Sequence, residues 1–279
     1  MEENALDWHH LAQKHGSTCV VDCGVAPGMS NLLAGAGVAA LDEAQNLEIY
    51  VGGLPKERSW PFEYKAGFSP ADVIEEYTRP SRLVERGEVV VREALSEPEP
   101  MEFEGIGTLE AFNTDGLRSL LFTLEVPNMK EKTLRYPGHI EIMRIFRETG
   151  LFGKKLIQVD GQTVSPLAMT QALLFPKWKF EPGEEDLTVM RIVVSGELGG
   201  KPTTLRWDLF EPYSHSEQAT SMSRTTALPC TLMARMLLAG KVQKPGVYAP
   251  EQLATIPGLV DTMLAGLASR GIEYRATRS

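Results

Sequence analysis

The sequence predicts an α+β chain: a mixed, mainly antiparallel sheet with helices, and a smaller α/β fragment at the two termini. Two hairpins carry that expectation. In "DLTVMRIVVSGELGGKPTTLRWDLFEPY", strand-like runs over residues 186–197 and 203–210 flank a turn at Gly199-Gly200. "RLVERGEVVVREAL" repeats the pattern around Glu85-Arg86-Gly87-Glu88. The third observation is at the front of the chain, where the order is helix, strand, helix.

Taken in order, residues 5–15 place Ala5, Trp8, Leu11 and Ala12 at helical spacing and stop at Gly16. Residues 18–21 form a strand that enters the glycine loop "VVDCGVAPGMS". Residues 29–44 follow as a helix, with Ser30 or Asn31 near its start. Strands are predicted at 47–52 and 61–66. Ser69-Pro70-Ala71-Asp72 is a helix start, with a capping serine and proline at the first helical position. After the first hairpin, 108–112 is a strand, 115–124 a helix opening on an acidic residue, and 132–135 extended. Pro137 opens a helix that Gly150 stops. Beyond the second hairpin a long apolar helix spans 216–239, interrupted by Pro229. A last helix covers 259–269, and 272–275 closes the chain as a strand.

The 279 residues carry a formal charge of −9 with no run of five or six like charges, which argues against a nucleic-acid or anionic membrane partner. The longest apolar run, around residues 228–239, contains Arg235 and is too short to cross a bilayer. The acidic, polar start "MEENALDWHH" is unlike a secretory signal. Three cysteines (Cys19, Cys23 and Cys230) fit a reducing, cytoplasmic setting. No second ligand pair accompanies Cys19 and Cys23, so no metal site is expected.

The loop after residues 18–21 is not a phosphate cradle: Gly24-x3-Gly28 has the strand-to-helix context without the G-x-G-x-x-G spacing. Gly35-Ala36-Gly37-Val38-Ala39-Ala40 has the spacing but lies inside a predicted helix. It reads as a small-residue packing face.

"VVDCGVAPGMSNLL", "EYTRPSRLVERGEVV", "GTLEAFNTDGLRSLL", "TLRYPGHIEIMRIFRETGLF" and "TSMSRTTALP", in this order along nearly the whole chain, resemble the saccharopine dehydrogenase family, most closely its lysine 6-dehydrogenase branch. The resemblance implies a Rossmann domain that binds NAD or NADP, with a second α+β domain inserted before the chain returns to it. On this basis residues 1–45 and 257–279 are expected to be a remnant of the dinucleotide-binding domain, and 46–256 the substrate domain. The family's glycine-rich turn and its acidic residue for the adenosine ribose precede the part that this sequence matches. The resemblance places Asp22, Gly24, Pro27 and Gly28 at the nicotinamide end of the cofactor.

Oxidising an amine carbon needs an anchor for the substrate carboxylate and a base for the nitrogen proton. Arg224, flanked by Ser223, Thr225 and Thr226, suits the anchor, and the resemblance puts this segment at the substrate pocket. Arg79, beside Tyr77 and Thr78, is a second candidate. For proton transfer, His139 in the first turn of a helix would be held neutral by the dipole. His215 competes for that role. Asp115 either caps a helix or, with Asn113 and Thr114, binds the substrate amine. The function implied by the resemblance is NAD(P)-dependent oxidative deamination of the terminal amine of L-lysine, with saccharopine-like amines as close alternatives and a homodimer as the assembly. The rival is a non-catalytic ligand-binding or dimerisation module without a cofactor domain.

Overall fold

The computed structural model describes residues 5–279; the first four residues of the 1–45 segment lie outside the described residues. After a 3-10 turn at Ala5–Trp8 come α1 (His9–Lys14), β1 (Thr18–Val20), α2 (Met29–Ala39), β2 (Glu43–Pro55), α3 (Pro70–Thr78), β3 (Ser81–Glu85) and β4 (Glu88–Arg92). There follow β5 (Glu99–Phe103), β6 (Gly107–Asn113), the short α4 (Leu120–Thr123), β7 (Asn128–Arg135), α5 (His139–Glu148), β8 (Ile157–Val159) and β9 (Gln162–Val164). The last third holds α6 (Pro166–Trp178), β10 (Asp186–Leu198), β11 (Lys201–Pro212), α7 (Ser221–Leu238), β12 (Gly246–Tyr248), α8 (Leu259–Ala268) and β13 (Tyr274–Arg278).

Among the described residues nine strands form one sheet in the order β13-β11-β10-β2-β7-β3-β4, with β6 also on β7 and β5 on β6. Its pairs are antiparallel except β2 with β7. The fold is thus mixed and mainly antiparallel. Strand alternation sends neighbouring residues to opposite faces. Met190, Ile192 and Val194 of β10 enter the core under α2, α7 and α8, while Leu187 and Val189 join Phe103, Leu109 and Leu134 on the other face. A third, aromatic cluster around Tyr64, Tyr77, Phe112 and Trp178 packs α3, α5 and α6 together.

The structure corrects several boundaries. The helix expected over 29–44 ends at Ala39, because residues from Glu43 are already paired with β10. Residues 61–66 form a turn and irregular backbone instead of a strand, 115–124 holds only the four-residue α4, and the helix expected from 216 begins at Ser221. β1 pairs in parallel with β12, which lies inside 46–256, whereas β13, inside 257–279, adds to the edge of the large sheet on β11. Strand edges pair with whatever complementary edge the packing brings alongside, and sequence position does not report that. Among the described residues no helix is long and apolar enough to cross a membrane.

The glycines of α2 are packing contacts. A Cβ on Gly35 would lie 2.6 Å from the Glu251 carbonyl oxygen, and one on Gly37 would meet Val194 and Trp207. Helix propensity alone would have Gly35→Ala stabilise the chain by about 1 kcal/mol. Because the clash is with backbone, Gly35→Ala will instead destabilise it by about 1–3 kcal/mol, measured as a lower midpoint in urea unfolding.

Candidate functional site

The parallel strands β2 and β7 run side by side, with Val51 opposite Thr133, and finish at the same end of the sheet. Side chains and loops at the carboxyl ends of parallel strands converge on one crevice. Here Val51, Gly52 and Gly53 of β2 and Thr133 and Arg135 of β7 meet residues 24–27, Phe68, Glu76 of α3, and Met222 and Thr226 of α7 around a cleft of about 280 Å³. A wider hollow of about 590 Å³ beside Trp60, Phe146 and Leu173 is mostly apolar and carries Lys177 as its charged group. The smaller cleft is the better candidate because opposite charges converge in it.

α7 is set against the cleft by Asp186 at the start of β10. This buried carboxylate accepts from the backbone N–H of Ser221 at 2.7 Å and of Met222 at 2.9 Å, and from the Ser221 hydroxyl at 2.9 Å. An anion is favourable at a helix N-terminus, where the first N–H groups lack intrahelical partners.

Alternation along β7 puts Glu131, Thr133 and Arg135 on one face. Arg135 is enclosed, its side chain 2% exposed. Its guanidinium donates to Glu76 Oε2 at 2.9 Å, to the Tyr77 hydroxyl at 3.2 Å and to the Leu134 carbonyl at 3.0 Å, and lies 4.4 Å from the Tyr64 ring centre. Burial opposes its charge, but Tyr64, Tyr77 and Glu76 outweigh that and hold the pKa above its ordinary value. Burial likewise pushes the Glu76 carboxyl upward, against the pull of Arg135 and Arg79. Glu76, with its side chain 24% exposed, is the acid this arrangement presents to the cleft.

The chain of bonds continues from Tyr77 to His139. The Tyr77 hydroxyl lies 2.8 Å from His139 Nε2, and Nδ1 lies 2.7 Å from the Phe62 carbonyl. A carbonyl can only accept, so Nδ1 carries the proton and Nε2 accepts from Tyr77. Burial first, then the Arg135 charge, lowers the His139 pKa to about 3. Further back along β7, buried Glu131 accepts from the Thr114 hydroxyl at 2.6 Å, and Thr114 lies 2.9 Å from the Thr133 hydroxyl. Burial, with Glu76 and Asp115 adding repulsion, raises the Glu131 pKa to about 8.

Of the residues singled out from sequence, Gly24 and Pro27 line the cleft and Tyr77 stands directly behind it. The others are placed differently. Arg224 is bound to buried Glu211, to Glu217 at 2.9 Å and to the Arg270 carbonyl, so it ties α7 to its surroundings instead of facing the cleft. The Thr225 hydroxyl turns back to the Ser221 carbonyl. Met222 and Thr226, four residues apart, are the face of α7 that meets the cleft. His139 is neutral as expected, but through burial more than through the helix dipole, and both ring nitrogens are engaged inside the protein.

His215 is exposed and lies 3.4 Å from Glu185. Asp115 does not cap a helix: it accepts two side-chain bonds of 2.8 Å from Arg82, with Arg79 Nε 3.8 Å away. Asn113 donates to Ser96 and Glu97. Asp22 is held by Arg118 at 3.2 Å, and Gly28 lies beside Cys23, Met29 and Leu32, away from the cleft. Sequence reading passed over Glu76, Glu131, Thr133 and Arg135. The available signal was charge at alternate positions in a strand, which also describes a solvent-facing edge.

A dinucleotide would ask the 24–28 turn for backbone N–H groups. Gly24 N–H is taken by the Pro27 carbonyl and Gly28 N–H by Asn31 Oδ1, and the next two, Met29 and Ser30, bond back to the Gly24 and Val25 carbonyls. Those four groups are therefore not available to a pyrophosphate. Gly24, Val25, Ala26 and Pro27 do give the cleft an apolar side of small residues, a surface suited to an aromatic ring. Among the described residues no group of three or more His, Cys, Asp or Glu side chains could hold a metal ion.

The family described as saccharopine dehydrogenase C-terminal domain matches residues 24–272. An alpha-aminoadipic semialdehyde synthase of Rattus norvegicus, described as mitochondrial, is 23% identical over 84% of this chain, and the alignment covers 33% of that protein. A saccharopine dehydrogenase [NADP(+), L-glutamate-forming] of Schizosaccharomyces pombe is 29% identical over 44% of this chain and 26% of its own length. The chain thus spans about a third of the length of the mammalian relative. Among solved structures, a saccharopine dehydrogenase (L-Glu forming) from Saccharomyces cerevisiae shares the fold with a TM-score of 0.80 at 17% identity, over 98% of this chain and 76% of that one.

The lowered His139 pKa has a consequence for stability. An unfolded histidine takes up a proton near pH 6.5, whereas the folded one resists until about 3, so the contribution is complete above 6.5 and is lost as pH falls toward 3. His139→Leu leaves the Tyr77 hydroxyl and the Phe62 carbonyl without their partner, and will lower stability at pH 7 by about 2–4 kcal/mol. The difference between wild type and variant will shrink between pH 6.5 and 4, read by urea unfolding at each pH.

Proposed function

Because the chain belongs to the saccharopine dehydrogenase C-terminal domain family, we propose that it holds the amine substrate for an NAD(P)-dependent oxidoreductase acting on a lysine-type amino acid. The observation that carries the reading is Glu76 in the cleft, backed by the enclosed Arg135 and facing the 24–27 turn. Its carboxylate would pair with the substrate's cationic amine. Val25, Pro27, Phe68 and Met222 form the apolar wall that keeps water from the reacting carbon. Arg79, at the end of α3, with a side chain 36% exposed and a charge felt by Glu76, is the cation we assign to a substrate carboxylate.

Gly24 to Pro27 would flank the nicotinamide, and NAD(P)+ when bound supplies the hydride acceptor. The product is a semialdehyde, released after water takes the place of the nitrogen. For L-lysine this is deamination of the terminal amine. The names of the relatives favour the same carbon in saccharopine, where the leaving amine is an amino acid. The internally bonded turn favours a second reading, a ligand-binding module without turnover of its own.

The purified chain will show thermal stabilisation by L-lysine or L-saccharopine, and reduction of NAD+ or NADP+ by absorbance that depends on one of them. Stabilisation without reduction would favour the non-catalytic module. The absence of both sinks the substrate assignment. Glu76→Gln will weaken amine binding by about 10- to 100-fold, the value of a hydrogen bond to a charged group.

A further inference from the structure

The polar groups of β7 do not end with the charged pair at the cleft. One and two steps back along the same face, Thr133 lines the cleft and Glu131 lies buried behind it. The bridge between them is the Thr114 hydroxyl, which donates to Glu131 Oε2 at 2.6 Å. With its proton directed at Glu131, Thr114 can only accept in its 2.9 Å contact with Thr133. The Thr133 hydroxyl therefore points its proton inward and keeps its lone pairs for a donor in the cleft. The row runs one way, from the cleft through two hydroxyls to a carboxylate.

The niche around that carboxylate is built to fit. A Cβ on Gly116 would overlap the Glu131 carboxyl, so the loop packs directly against that carboxyl. The charged groups around it are Glu76 on α3, Asp115 in the covering loop, held by Arg82 and with Arg79 3.8 Å away, and Arg135 further along β7. Glu76 and Asp115 repel the charge of Glu131, and burial removes its solvation. A carboxyl in that position changes protonation near neutrality, where a surface glutamate does not.

We propose that Glu131 is the proton acceptor of the cleft, taking a proton from the bound amine through Thr133 and Thr114. The proposal rests on the amine-oxidoreductase reading above. In the transfer an N–H bond of the substrate breaks and its electron pair stays on nitrogen. The proton goes to Thr133 Oγ1, that hydroxyl's own proton goes to Thr114 Oγ1, and the Thr114 proton goes to Glu131 Oε2, forming one O–H bond. No electron leaves the substrate in this step. Glu131 touches neither substrate nor cofactor; it acts through the two threonines.

Two measurements test this. Isothermal calorimetry of L-saccharopine and L-lysine binding at pH 7.5, in buffers of different ionisation enthalpy, counts the protons exchanged. A cation seated in the cleft will stabilise the Glu131 anion, so wild type will release a fraction of one proton on binding and Glu131→Gln will release none. In turnover, kcat of wild type will rise with pH through about 8, the pKa of Glu131. Glu131→Gln and Thr114→Val will each lose about 100-fold in kcat with little change in KM, and the double variant will be no slower than either. Thr114→Ser, which keeps the hydroxyl, will recover the rate to within a few-fold. Unchanged proton release in Glu131→Gln, or wild-type turnover in Thr114→Val, overturns the relay while leaving the substrate reading intact. If wild type binds neither amine, the reading fails and the relay fails with it.

Discussion

The enclosed Arg135 guanidinium is the constraint around which this end of the molecule is organised. A guanidinium cannot be neutralised by losing its proton at ordinary pH, so burial obliges the fold to surround it with acceptors and π-faces. Those come from separate parts of the chain: Glu76 and Tyr77 from α3, Tyr64 from the loop after β2, and His139 behind Tyr77 from α5. Tyr77 in turn bonds His139, and His139 bonds the Phe62 carbonyl. Satisfying one cation therefore sets the positions of two helices and a loop, and leaves Glu76 as the acid that meets the cleft.

The cleft itself follows from strand direction. In a sheet that is otherwise antiparallel, β2 and β7 run together and end together, so their last residues and the segments after them share one side. α7 reaches that side because Asp186, at the start of β10, binds its first turn. The same helix carries Arg224 and Thr225 inward to structural partners and Met222 and Thr226 toward the cleft. In the segment singled out from sequence, the residues that face the cleft are Met222 and Thr226, neighbours of Arg224 and Thr225. A helix turns by about 100° per residue, and a shift of one or two positions moves a side chain to another environment.

The long hairpin of β10 and β11 was legible because alternating apolar residues and a Gly-Gly turn leave few alternatives. The family was legible too, in motifs spread in order along the chain. α6 was not predicted: its prolines at positions 166 and 176 and its apolar character round much of its surface hide the helical period. Nor was the shortness of α4, since local composition does not show that Thr114 and Gly116 pack on Glu131, that Arg118 binds Asp22 or that Ser119 binds Asn31. His139 was legible as a special histidine, but its enclosure by Tyr77, Phe62 and Trp178 depends on segments up to 77 residues away.

By itself the sequence determined the mixed sheet, its main hairpins, the strand, glycine loop and helix at the front, and membership of a family, because these rest on local periodicity, turn chemistry and ordered motifs. Tertiary structure alone decided which charges are structural and which face the cleft. Arg135 and Arg224 are both arginines in ordered elements near polar neighbours, and nothing within a few residues of either separates them. The difference is the partner each meets across the fold: for Arg224, Glu211 and Glu217 within α7's own surroundings; for Arg135, Glu76 at the open end of a parallel strand pair. Burial and pairing are properties of contacts far apart in the chain, and only folding specifies them.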